Sequence, residues 1–548
     1  MSDEPGAAGG QGGLVSRLRA VIAAKDEQIA TLTASLETAV SKLHAAADEA
    51  RVLRDEARAS RERERQLELR VAELERRLSM DSSDSGTPSS KERIGAKEAR
   101  KARQQSERER RKDRKRGGQP GHLGKGPERD PDPDDRQTVD LPAECRSCHA
   151  GLDRADGVQP RWAQVIDIEI LRKVTEWALP GLSCGGCGTV TFADPPPGLH
   201  AGAVCYGPVL NGAAVLLSCY GNVPAERSAQ LLGMLAGTDV SPGWVDKAVA
   251  RVNAQLGRAG FDDAMSAALA AEDVLAADET PVNVLDKTPL RAAAPDEDEA
   301  ADPDGRTAAG APHVLIIKTP DARLTSLLAL GSRRKESVGG GIPAAFTGHL
   351  MTDGYPGYQH LLSRIAGIQQ CCQHVIRRCR AVQKLGPGGV QDWAGDIIAI
   401  LGQAHRAVED ARARGSTALD PQALAGLRER YDTAVASGMI HNRLRDWHDG
   451  NHPGYALACW LRDYKEQVFL FTRDFGVDWT NNVSERGAKA AKRHQAVSGY
   501  WHSLATLARW CRIRSYLDSA AAHGTGALDA IRSAMEGKPW LPPLPAIS

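Results

Sequence analysis

No apolar run in this chain approaches the roughly 18 residues that a membrane-crossing helix needs, so nothing in it is expected to span a bilayer. Residues 1–13 are acidic and glycine-rich and lack the apolar core of a secretion signal. Cysteine is scarce: there are 11 in 548 residues, and four of these form two Cys-x-x-Cys pairs. That argues against a disulfide framework and for a reducing cytoplasmic compartment with one metal site. Net charge is also lacking, since Lys plus Arg and Asp plus Glu both total 70. The balance conceals strong segregation along the chain, and the length implies more than one core.

Residues 1–80 read as a disordered start followed by a long helix. Ile22, Ile29, Leu36 and Leu43 recur every seven residues, with Leu18, Leu32 and Ala39 on a neighbouring stripe. Leu67, Val71, Leu74 and Leu78 resume the pattern after the charge-rich stretch 54–65. Heptads free of proline predict a coiled coil and hence a homo-oligomer. The alternative is an amphipathic helix docked on its own protein. Residues 81–135 are expected to be a basic, disordered linker. After a Ser- and Asp-rich opening, 91–125 holds 14 Lys and Arg against 5 Asp and Glu. Such a segment cannot bury a core. Its expected partner is a phosphate backbone, held by residues that include Arg114, Lys115 and Arg116; a merely solvated charge run is the alternative.

Within 136–200, Cys145-x-x-Cys148 and Cys184-x-x-Cys187 predict a zinc ribbon, in which four thiolates hold one structural Zn2+. The stretch 165–179 has the β-rich character of a ribbon strand. Residues 201–262 read as helical, with a helix-turn-helix-like pair at 225–251 whose second helix serves either reading or packing.

Residues 263–385 alternate strands with turns. One strand brings Asp278 to a polar end, with Glu272, Asp273 and Glu279 as rivals that only register separates. After an acidic loop at 295–305 come strands at 313–318 and 323–330. A further strand ends at Asp353, stopped by Gly354, Pro356 and Gly357. There Asp353 either serves chemistry or hydrogen-bonds its own turn. Another strand at 365–371 leads to a helix with a basic side, starting at Cys371-x-x-His374. Residues 386–478 look like a helical insertion, and 479–548 like the completion of the core. Asn482 and Glu485 have the spacing of a capping box, while Arg486, Lys489 and Arg493 line one helix face beside Glu485. Two strand-borne acids and one helix-borne acid can hold two hard cations, Mg2+ or Mn2+, about 3.5–4 Å apart.

The ordered motifs resemble a bacterial transposase of the insertion-sequence-66 family, a DDE transposase with a ribonuclease-H-like α/β core and an α-helical insertion. The resemblance rests on Gly117-Gly-Gln-Pro-Gly-His122, the two cysteine pairs and Tyr206-Gly-Pro208. It continues through Asp278-Glu-Thr280, Asp353-Gly-Tyr-Pro-Gly-Tyr358, Cys371-x-x-His374 with Arg377-Arg378, and Asn481-Asn-Val-Ser-Glu485-Arg486. It implies that Asp278, Asp353 and Glu485 bind two Mg2+ ions, with His374 in support. The DNA contacts would include Arg377, Arg378, Arg486, Lys489, Lys492 and Arg493. It also implies cleavage at the ends of a mobile element, then joining of the 3′-hydroxyls to target DNA. Partners would be the terminal repeats, the target and small accessory proteins of the element. Thr480, where the family has an aspartate, Cys372 and Gln373 in place of an aromatic, and the long acidic loop depart from the pattern. A DNA-binding regulator that has lost catalysis is the competing reading; the survival of all three acids favours the enzyme.

Overall fold

The computed structural model describes residues 10–79, 126–153, 158, 161–196, 199, 204–286, 311–385, 389–448 and 450–543. Most of the expected basic linker, with Arg114, Lys115 and Arg116, lies outside them, as does the acidic loop 295–305. Among the described residues no helix is long and apolar enough to cross a membrane.

Helix α1 (Gly10–Ser79) is a single helix of 70 residues. Together with residues 439–456 it forms one compact unit, and the other described residues form a second. Arg65 bonds Asp446 and Arg70 meets His448 within the first unit. The heptad side chains Ile22, Ile29, Leu32, Leu36 and Leu43 are all more than half exposed. A stripe of that length left open to water is what a partner helix would cover.

The second unit begins with two cysteine turns. Hairpin strands β1 (Gly181–Ser183) and β2 (Val190–Phe192) flank the second turn. The stretch 165–179 forms no strand, contrary to the sequence expectation, and Val165, Ile168 and Leu171 face solvent. Strand propensity records a fit to a neighbouring strand, and here the hairpin forms around the second cysteine turn instead.

Helices α2 (Pro208–Val215), α3 (Ala225–Ala236), α4 (Pro242–Arg258) and α5 (Phe261–Ala270) follow. The α3–α4 turn uses Gly237 in the left-handed region and Ser241 as an N-cap accepting from Trp244 N at 3.2 Å. Helix α4 buries Val245, Ala248, Val249, Val252 and Leu256 in the core.

Strands β3 (Val274–Pro281), β4 (His313–Lys318) and β5 (Thr325–Leu330) form an antiparallel set. After α6 (Lys335–Gly341), strands β6 (His349–Thr352) and β7 (Gly367–Gln370) add in parallel on the other side of β3. The sheet order is β5-β4-β3-β6-β7. Then come α7 (Cys372–Gln383), α8 (Asp392–Ala413), α9 (Pro421–Asn442), α10 (Pro453–Asp463) and α11 (Lys465–Val468). The chain closes with α12 (Asn482–Ser498), α13 (Leu504–Ala522) and α14 (Ala527–Met535).

At the β5 edge, side chains of α13 stand in for a further strand. Ser519 Oγ and Ser515 Oγ of α13 accept from Thr325 N at 2.9 Å and Leu327 N at 2.7 Å. At the other edge Gln369 accepts from Phe471 N at 2.9 Å. Unpaired edges invite pairing with another chain, and the two serine contacts block this at β5.

Candidate active site

Side chains alternate along a strand, so Asp278 and Glu279 point to opposite faces of the sheet. Asp278 shares its face with its cross-strand partner Ile316. Helix α12 lies on that face so closely that a Cβ at Gly487 would fall 2.6 Å from Ile316 Cγ2. Asp278 therefore faces the helix that bears Glu485. Because β6 runs parallel to β3, Asp353 emerges at the same end of the sheet. Gly354, at φ +101°, turns the chain away immediately. Asp353 Oδ1 does accept from Tyr355 N at 3.0 Å, the turn contact foreseen as an alternative, while Oδ2 faces Arg333 at 4.0 Å.

The capping box expected between Asn482 and Glu485 is not formed. Asn481 is the N-cap residue and makes no side-chain cap bond. Its buried amide instead donates to Ala277 O at 2.7 Å, one residue before Asp278. Its backbone N–H donates to Cys371 Sγ at 3.3 Å, and Cys372 N donates to Trp479 O at 2.9 Å. The start of α12 is thus fastened to β3 and to the start of α7, which leaves Glu485 free to face the acids. Asn481→Ala should remove the fastening at a cost of about 1–3 kcal/mol in denaturant unfolding.

The charges gathered here are unfavourable as they stand. Asp278 keeps one edge open to solvent, but protein fills most of the space around its carboxyl. Burial holds its pKa well above the usual carboxylate range, and the charges of Asp353, Glu279 and Glu485 raise it further against the pull of Lys492. Glu485 Oε1 is buried without a hydrogen-bond partner. His374 Nδ1 lies 3.6 Å from it, too far for a hydrogen bond. Burial lowers the His374 pKa, so the ring is neutral near pH 7. Arg377 can only donate, so His374 Nε2 accepts from it at 3.2 Å and the ring proton sits on Nδ1, toward Glu485. Cys371, the third potential ligand beside His374 and Glu485, has its thiol pushed up to about 11 by burial and stays protonated. Crowded carboxylates with an orphaned oxygen suit a hard divalent cation, and Cys371, His374 and Glu485 lie close enough together to share one ion.

Arg486, Lys489, Lys492 and Arg493 are exposed along α12 beside the acids. Arg378 stacks on Trp460, 4.3 Å from the ring centroid. Of the rival acids, Glu272 and Asp273 precede β3 at its far end, and Glu279 is enclosed on the rear face. Sequence reasoning missed Arg333, Tyr358 and the tie from Asn481 to β3.

The two cysteine turns are each well formed. Cys145 N donates to Ala150 O and Cys184 N to Thr189 O, both at 2.9 Å. A backbone N–H from Cys148 lowers the Cys145 pKa, and the Thr189 hydroxyl lowers that of Cys187. Among the described residues no three of these thiols lie within 4.8 Å of one another, so the structure does not bring the two pairs onto one ion.

The family model described as Transposase IS66 family matches residues 204–508, more than half of the chain. No curated protein matches it. The matched span runs from α2 into α13 and includes the strands and the helix that carry Asp278, Asp353 and Glu485, and a match of that extent makes the chain a member of the IS66 transposase family.

Proposed function

We propose that the chain is a DDE-type DNA transposase that cuts element ends and joins their 3′-hydroxyls to target DNA by two-metal transesterification. What supports this reading is that Asp278 feels the charges of Asp353 and Glu485 and that Glu485 Oε1 is buried without a hydrogen-bond partner; the three carboxylates do not all lie within 4.8 Å of one another, so two bound ions would have to draw them closer. The mixed sheet order, with a helical insertion between the second and third acids, supports a ribonuclease-H-like core.

Asp278, Asp353 and Glu485 would hold two Mg2+ or Mn2+ ions, which supply an acidified nucleophilic hydroxyl and charge neutralisation at the leaving oxygen. Asn481 and Cys371 fix the approach of Glu485. His374 presents its ring proton toward that carboxylate from 3.6 Å. The exposed Arg486, Lys489, Lys492 and Arg493 stripe holds the DNA backbone, a sequence-independent and salt-sensitive attraction. Linear element ends incubated with Mg2+ and target DNA should give joined products. Cleavage without joining would mark a plain nuclease, and binding alone a regulator.

Two parts of the assembly have their own tests. The open stripe on α1 pairs copies of the chain, so full-length protein should sediment as a dimer or larger. Ile22→Glu with Ile29→Glu and Leu36→Glu should shift it to monomer. One structural Zn2+ would have to draw the two cysteine turns together, since their thiols are apart here; metal analysis of protein purified without chelator should find about one zinc per chain.

A further inference from the structure

Glu279 is a carboxylate of zero side-chain exposure directly beside Asp278, and both its oxygens are already used. Arg333 donates to Oε1 from Nε at 2.7 Å and lies 2.6 Å from it at Nη2. Tyr358 donates its hydroxyl to Oε2 at 2.7 Å. Arg333 is held from a second side by Tyr355, whose ring centroid lies 3.9 Å below the guanidinium and whose hydroxyl donates to Arg333 O at 2.5 Å. From that clamped position Arg333 Nη2 reaches round the end of the sheet to within 4.0 Å of Asp353 Oδ2. The other oxygen of Asp353 is fixed by the backbone of the same Tyr355. A rigid polar brace on the rear face thus ends at the second acid on the front.

Resting on the proposed chemistry, we infer that Arg333 is a positioning residue for Asp353: clamped by Glu279, Tyr355 and Tyr358, it sets the orientation in which that carboxylate meets a divalent cation. A planar guanidinium suits this, since it can bond a carboxylate and stack on a ring at once, which an ammonium cannot. Partners that orient metal-binding side chains change metal affinity by about 10- to 100-fold when removed. Glu279 is assigned here to the brace and not to the ion.

The test is the Mn2+ concentration that gives half of the metal-induced thermal shift of the full chain without DNA. The wild type and the charge-neutral double variant Glu279→Gln with Arg333→Met are compared. The double variant should need about tenfold more Mn2+. A purely structural role would lower the melting temperature in metal-free buffer and leave that midpoint unmoved, which would overturn the inference while the proposed function stands. Should the double variant fail to fold, Arg333→Lys decides, because it keeps the charge and loses the fork; its midpoint must still rise. A wild-type chain with no Mn2+-dependent shift that Asp353→Asn removes would overturn the proposed function and this inference together.

Discussion

Asp353→Asn should reduce DNA joining by about three orders of magnitude or more while leaving the fold intact. A thousandfold loss corresponds to about 4 kcal/mol of transition-state stabilisation. That is in the range lost when one preorganised charge-stabilising group is removed from an active site. The substitution is nearly isosteric, and the asparagine oxygen can still accept from Tyr355 N, as Asp353 Oδ1 does. What it deletes is the charge. In metal-free buffer that charge is a liability, because Asp353 is the largest of the neighbouring charges that raise the pKa of Asp278. The variant should therefore melt at or above the wild-type temperature without metal and lose the gain that Mn2+ gives. Activity and stability moving in opposite directions is the signature of a ligand; a packing residue would lose both. Equal joining by the two proteins would remove Asp353 from the site.

Strand ends carrying lone acids were legible, because buried runs such as His313–Lys318 and the punctuation after Asp353 are local signals. The choice between Asp278 and Glu279 was not legible. Alternation says that they face opposite ways, but which face α12 covers is decided by tertiary packing, here by Gly487 against Ile316. Asn481 and Asn482 stood out, yet the same letters spell a capping box, and only a strand lying against the helix reveals that the amide reaches Ala277 O. The ribbon strand was misplaced because alternating apolar residues at 165–179 declare a preference without naming a partner. Arg333 left no trace, since an arginine after a strand is ordinary until Glu279, Tyr355 and Asp353 are seen around it. The long α1 could be read because a heptad is a one-dimensional pattern.

The second large effect concerns a residue with no chemistry of its own. Gly348 sits just before β6, and a Cβ there would lie 2.2 Å from Asp273 O, 2.7 Å from Asp273 C and 3.0 Å from Glu272 O. All three are backbone atoms at the start of β3, so no side-chain rotation can make room. The contact accompanies the bond from His349 N to Asp273 O, at 2.8 Å, where β6 first meets β3. Gly348→Ala must either stretch that bond or push the strands apart, and overpacking of this kind costs about 1–3 kcal/mol, or more when only backbone can yield. Gly340→Ala is the control. It lies in α6 with nothing within 4 Å of an added Cβ, and alanine is the better helix former by about 1 kcal/mol. Denaturant unfolding should separate the two variants in opposite directions. The separation between β3 and β6 also sets that between Asp278 and Asp353. Joining by the folded fraction of Gly348→Ala should therefore fall by more than its population explains. If the variant unfolds and joins like the wild type, strand spacing is not what brings the first two acids together.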